Sequence, residues 1–126
     1  MNGRSYVKYS EGFTLIELLV CVAIIGILSS IAVPRFSEYR KRGYDTQAMS
    51  DLRNSAIAEE AYFLDHDAYL SCEDAGCLEL PGIVGLSAGT RLSLEGTVDQ
   101  FRGVSSHEKG TGREFVWESE NGGLVP

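Results

Sequence analysis

Residues 12–34 read GFTLIELLVCVAIIGILSSIAVP, and their composition decides the architecture. From Phe13 to Val33 there are 21 residues with a single charge, Glu17. At about 1.5 Å per residue, a helix of that length just spans a hydrocarbon core of about 30 Å. Leu, Ile, Val and Ala surround it on every side, so it has no polar face to turn to water and does not read as a soluble helix. Gly26 and Pro34 interrupt the pattern. Pro34 removes one backbone donor, and both are expected sites of a helix bend.

Helical spacing continues beyond Pro34. Tyr44, Ala48, Leu52, Ala56 and Phe63 recur at steps of four or seven, with Met49 and Ile57 alongside. Asp51, Arg53, Glu59 and Glu60 are expected on the opposite, polar face. One long helix is therefore expected from about Phe13 to about Leu64, ended by Asp65-His66-Asp67. A loop with two cysteines and Pro81-Gly82 follows. Strands are expected at 91–98, more weakly at 100–106, and at 113–118, with Lys109-Gly110-Thr111-Gly112 as a hairpin loop. The fold class is α+β: a small antiparallel sheet packed on the amphipathic second half of the helix. The segments are 1–12, 13–34, 35–66 and 67–126.

The chain has 126 residues and a net charge of −7. Setting the apolar run aside leaves roughly 90 residues, enough for one small core. Nucleic-acid binding is disfavoured, because it needs a basic stripe to neutralise phosphates. Arg35, Arg40, Lys41 and Arg42 form the dense basic cluster, and they read as charge flanking a membrane segment. No Ser-His-Asp spacing, phosphate loop or His/carboxylate cluster is visible, so no enzyme and no cofactor is expected. Of three cysteines, Cys21 lies in the apolar run, while Cys72 and Cys77 flank four residues. Such a pair fits a disulfide and an oxidising compartment; free thiols and a metal site are the alternatives. Zinc would need further ligands, and His66 and His107 stand alone, so no metal is assigned. Tyr39, Tyr44, Tyr62 and Phe63 read as packing aromatics rather than a path for charge.

Gly12-Phe13-Thr14-Leu15-Ile16-Glu17, preceded by a short leader with Arg4 and Lys8, resembles the processing site of type IV prepilins. The family pattern is a basic leader, Gly, Phe, a Glu fifth from the new N-terminus, then an apolar helix, with Pro34 falling 22 residues into the mature chain. Asp51-Leu52-Arg53-Asn54 and Trp117-Glu118-Ser119 before Gly122-Gly123 look like major pilins of the type IVa class. The resemblance implies cleavage between Gly12 and Phe13 by a prepilin peptidase and methylation of the Phe13 amine. It implies an inner-membrane precursor that pilus assembly machinery builds into an extracellular helical filament of identical subunits. The pilin fold, a long helix on a small sheet, is implied with it. One departure stands out: many such pilins carry a disulfide late in the chain, whereas the pair here is early.

A carboxylate near hydrocarbon costs roughly 2–3 kcal/mol at a helix centre and needs a partner. Cleavage would create one, the Phe13 amine of a neighbouring copy, and pairing would fix register among otherwise slippery apolar side chains. The bland alternative is a Glu that reaches the interface. Two other functions keep the same N-terminal pattern or imitate it. One is a minor pilin or a pseudopilin of a type II secretion system. The other is a secreted or membrane-anchored binding protein, with Ser30-Ile31-Ala32 as a signal cleavage site. One observation opposes the pilin topology: Arg35, Arg40, Lys41 and Arg42 outnumber Arg4 and Lys8, so charge alone would keep the C-terminus in the cytoplasm.

Overall fold

The computed structural model describes residues 11–126; Arg4 and Lys8 of the expected leader lie outside the described residues. Two compact units divide between Arg35 and Phe36. Helix α1, Leu15–His66, contributes to both.

The first unit is the apolar half of α1. It is assigned as helix through Gly26 and Pro34. Pro34 has no N–H to offer the carbonyl one turn back. Nearby, the Ser30 hydroxyl donates to the Ile27 carbonyl at 2.7 Å. Leu15, Ile24 and Val33 are typical of the segment, each more than half exposed. α1 is the one helix among the described residues long and apolar enough to cross a membrane, and none of its apolar stretch is buried. Apolar surface on that scale requires lipid or other protein around it.

The second unit has a core. Ala48, Leu52 and Ala56 step by four along α1 and are buried. Asp45, Asp51, Ser55, Ala58 and Glu59 flank them and are buried too. This corrects the polar face expected from spacing: Asp51 and Glu59 point inward, while Ile57, expected with the apolar residues, is 65% exposed. Small side chains at 48, 55, 56 and 58 let a sheet approach the helix closely.

That sheet has five antiparallel strands in chain order: β1 Cys72–Glu73, β2 Thr90–Gly96, β3 Phe101–His107, β4 Phe115–Glu118 and β5 Gly123–Val125. β2, β3 and β4 correspond to the three strands expected; β1 and β5 were not foreseen. Alternation sets the inner face, with Thr90, Leu92 and Leu94 of β2 and Phe101, Gly103, Ser105 and His107 of β3 buried. Register aligns Cys72, Leu94, Gly103, Trp117 and Leu124 in one row across all five strands. The row has a gap at Gly103, and Leu52 of α1 fills it: a Cβ there would lie 2.7 Å from Leu52 Cδ1 and 2.7 Å from Leu94 Cδ2. Ser105 adds a polar tie, its hydroxyl donating to the Ala48 carbonyl at 2.9 Å.

Four acids anchor the neighbouring segments, Asp45, Asp51 and Glu59 from buried positions and Asp74 from an exposed one. Asp45 accepts the Thr111 N–H at 3.0 Å and its hydroxyl at 2.6 Å, holding the β3–β4 loop. Asp51 accepts the Ser87 N–H at 2.9 Å and hydroxyl at 3.2 Å, holding the segment before β2. Glu59 accepts the Leu70 N–H at 2.9 Å where the chain leaves the helix. Asp74, on the short 3-10 helix Asp74–Glu79, accepts the Leu92 N–H at 2.9 Å. Buried backbone donors need acceptors, and these loops take theirs from carboxylates. The helix itself stops at Asp67, whose φ of 54° is left-handed and whose N–H donates to the Phe63 carbonyl at 2.9 Å.

Candidate functional site

The candidate site is the N-terminal end of α1. Residues 11–14 are outside the helix and exposed, with Phe13 93% exposed. A Cβ at Gly12 would meet nothing within 4 Å, so the chain's own packing does not demand glycine there. The segment is an irregular, open stretch of backbone, the form a protease can bind.

Glu17 is not idle in the single chain. Its carboxylate accepts the Thr14 N–H at 2.7 Å and the Thr14 hydroxyl at 2.8 Å. The Glu17 N–H donates back to the Thr14 hydroxyl at 3.3 Å. This reciprocal pair is a capping box, in which Thr14 and Glu17 satisfy two of the orphan donors at a helix start. Thr14 was missed as a functional residue, although its signal is written in the sequence as Thr-x-x-Glu before an apolar run. The cap also explains why α1 starts at Leu15 rather than at Phe13.

The remaining candidate residues belong to later parts of the chain. Gly26 has open space around its Cβ position. Pro34 is embedded in α1. Cys72 and Cys77 are joined by a disulfide, S–S 2.07 Å, which ties β1 to the 3-10 helix and places Cys77 fully in the core. Cys21 is a free, exposed thiol. Both histidines are held by packing. His66 stacks on Tyr62 with ring centroids 3.9 Å apart. His107 stacks on Tyr44 at 4.6 Å, its Nε2–H donating to the Ala88 carbonyl while Nδ1 accepts the Lys109 N–H. Among the described residues, no group of three or more His, Cys, Asp or Glu is placed to hold a metal ion.

Known proteins resemble this end of the chain and, in one case, most of its length. The family profile described as the prokaryotic N-terminal methylation motif matches residues 7–33. The type IV wide pilus major component of Thermus thermophilus is 32% identical over 111 residues, covering 87% of this chain and 80% of that protein. The type IV major pilin of Myxococcus xanthus is 42% identical over 60 residues, 48% of this chain but only 27% of that relative's length. A type IV major fimbrial protein of Dichelobacter nodosus is 46% identical over 55 residues, 44% of this chain and 35% of the relative. With its apolar capped helix, its five-stranded sheet and a relative matched over most of both lengths, the chain belongs to the type IV pilin family.

Proposed function

We propose that this chain is the precursor of a structural pilin, made in the inner membrane and assembled with copies of itself into an extracellular type IV filament. Cleavage falls between Gly12 and Phe13, residues 1–12 leave as the leader, and the new Phe13 amine is methylated by the same prepilin peptidase. Residues 13–34 are the membrane helix and later the filament core; residues 35–66 and 67–126 form the outer body. The chain is substrate and cargo of the assembly machinery and carries no catalysis of its own.

The observation that carries this reading is the apolar half of α1, entirely uncovered and headed by one capped acid. Lipid solvates such a rod in the membrane, and copies of it solvate one another in a filament. Glu17 then exchanges partners. Cleavage frees an amine at Phe13, and a neighbouring Glu17 released from its Thr14 cap pairs with it in a low-dielectric core. The open backbone at Gly12 supports access by a peptidase. Gly26 and Pro34 are the weak points at which the helix bends or opens during packing. A major pilin is favoured over a minor pilin or pseudopilin by the relatives named as major components.

Mass spectrometry of the native protein and microscopy of a deletion strain test this together. A chain beginning at methylated Phe13, with surface fibres lost on deletion, is expected. A native chain that keeps its first twelve residues, or begins at Val33, sinks the proposal.

A further inference from the structure

The basic cluster that conflicts with the charge rule is larger in three dimensions than in the sequence. Arg40, Lys41 and Arg42 are exposed on α1, and the β3–β4 loop brings Lys109 and Arg113, also exposed, to the same end of the second unit. Arg113 lines one cleft with Glu38, Arg42, Asp45 and Thr111. The Thr111–Asp45 clamp holds that loop in place. On the other side the Arg40 guanidinium donates to the Tyr44 hydroxyl at 3.3 Å. That bond and the Arg40 charge hold the Tyr44 phenol below its usual range, with Lys109 adding to the effect. These are five of the chain's eleven Lys and Arg residues, on a chain of net charge −7. Four acids lie beside the five cations, leaving a small positive excess: Glu38 pairs with Arg42 at 2.8 Å, Asp45 is occupied by Thr111, and Glu108 and Glu114 flank the loop. Phe36 and Tyr39, 65% and 67% exposed, lie between Arg35 and Arg40 on the helix.

We propose that this end of the second unit docks on anionic phospholipid headgroups while the chain is a membrane precursor. The proposal rests on the membrane-anchored reading above. Connectivity chooses the occupant. Arg40 follows Val33 by seven residues, at most about 25 Å of chain in any conformation, and Arg and Lys side chains reach further still. A segment so tethered to a membrane span lives at the headgroup level. Exposed aromatics beside a span are interfacial anchors, and clustered Lys and Arg beside a span bind anionic lipids. The contact also answers the topological conflict: once across, the cations are held by lipid on their own side, and entry into a filament gives that contact up.

The test places the full-length chain in nanodiscs, one chain per disc, of phosphatidylcholine alone or mixed with phosphatidylglycerol. Lys41 and Lys109, the two lysines among the described residues, are acylated with an amine reagent and followed by mass spectrometry. Acylation several-fold slower at both in the anionic discs is expected, with the difference shrinking at high salt. An Arg40→Gln, Arg42→Gln variant should stay in the disc and lose much of the protection at Lys109. Equal rates in both lipids, with the chain retained in the discs, overturn the proposal. Protection that appears only with several chains per disc assigns the surface to a second copy, and protection only by an added DNA oligonucleotide assigns it to nucleic acid; either overturns it. Failure to enter either disc defeats the membrane reading itself, and the lipid contact with it.

Discussion

Glu59 is fully buried, yet only one of its carboxylate oxygens has a partner: Oε2 accepts the Leu70 N–H, while Oε1 and the Ser55 hydroxyl one turn back have none among the described residues. Burial pushes its pKa from 4.5 up to about 6, against the pull of the Leu70 N–H and with help from Glu60. Below 4.5 the acid is protonated in both folded and unfolded chains and costs nothing. Between 4.5 and about 6 the unfolded chain ionises first, so stability falls as pH rises; above about 6 the penalty is complete. It amounts to about 2 kcal/mol. Glu59→Gln keeps an acceptor for Leu70 and removes the charge. Relative to the parent it should therefore gain about 2 kcal/mol as pH rises through this window, read from thermal melts in detergent at a series of pH values. A constant difference across pH would show that Glu59 is not the titrating group. Glu17 invites a parallel substitution with a different readout. Glutamine still completes a capping box with Thr14, so Glu17→Gln should leave the helix and membrane insertion intact. It cannot neutralise a neighbour's amine, and a buried charge left without its partner costs about 3–5 kcal/mol. Cleaved subunits should accumulate in the membrane while sheared filament falls by about two orders of magnitude or more. Normal filament yield would remove Glu17 from the pairing role.

The contact between α1 and the sheet turns on one missing side chain. Leu52 enters the row of inward residues at Gly103, and a methyl there would overlap both Leu52 and Leu94. Gly103→Ala should cost about 1–3 kcal/mol, the usual range for overpacking, and lower the melting temperature without altering the proposed Gly12–Phe13 cleavage. An unchanged melt would mean that the helix and sheet can part cheaply, contrary to the packing described. Helix, central strands and the cysteine pair were legible because each carries a local signal: period four at Ala48, Leu52 and Ala56, alternation at 91–98, a short Cys-to-Cys spacing. β1 and β5 were not, since two and three residues are too few for a period, and their pairing is decided by Leu94 and Trp117 across the sheet. Asp51 and Glu59 misled for a different reason. An acid on a helix reads as solvated unless one knows that a loop N–H tens of residues away in the chain, such as that of Ser87 for Asp51, lacks an acceptor. At the candidate site the acid was legible as a lone charge in an apolar run, while Thr14 carries no charge and shows its role through its hydrogen bonds to Glu17. The basic surface was half visible: Arg40, Lys41 and Arg42 are contiguous, but Lys109 and Arg113 join them only through the Asp45 clamp.

The two units differ in how much apolar surface they leave uncovered, and that difference decides which one holds a filament together. Twelve large apolar side chains from Leu15 to Val33 stand mostly exposed in the single chain. Burying a Leu, Ile or Val from exposure gains about 1.5–3 kcal/mol. Even with half of that area covered by neighbours, the gross gain is about 10–20 kcal/mol per subunit, comparable with or above the 4–15 kcal/mol that association costs in lost freedom. The second unit contributes a smaller term: its core residues already pack among themselves, and seven large apolar side chains, among them Ile57, Leu64 and Val84, are left exposed and scattered over it. A fragment of residues 36–126 should therefore be soluble without detergent, melt in one cooperative transition and sediment as a monomer. A fragment of residues 13–126 should need detergent or lipid, and self-associate when it is withdrawn. Sedimentation equilibrium of the two, with circular dichroism melts of the shorter, separates the possibilities. If the shorter fragment also self-associates, lateral contacts of the second unit are strong enough to build the polymer and the apolar helix is only its membrane anchor. If it fails to fold, the core around Leu52 depends on the helix being continued upstream, and the division at Arg35 and Phe36 is not a folding boundary. A monomeric, cooperative fragment leaves the apolar rod as the part that must be moved from lipid into protein. That transfer, nearly neutral between two apolar surroundings but costly through water, is why assembly has to begin at the membrane.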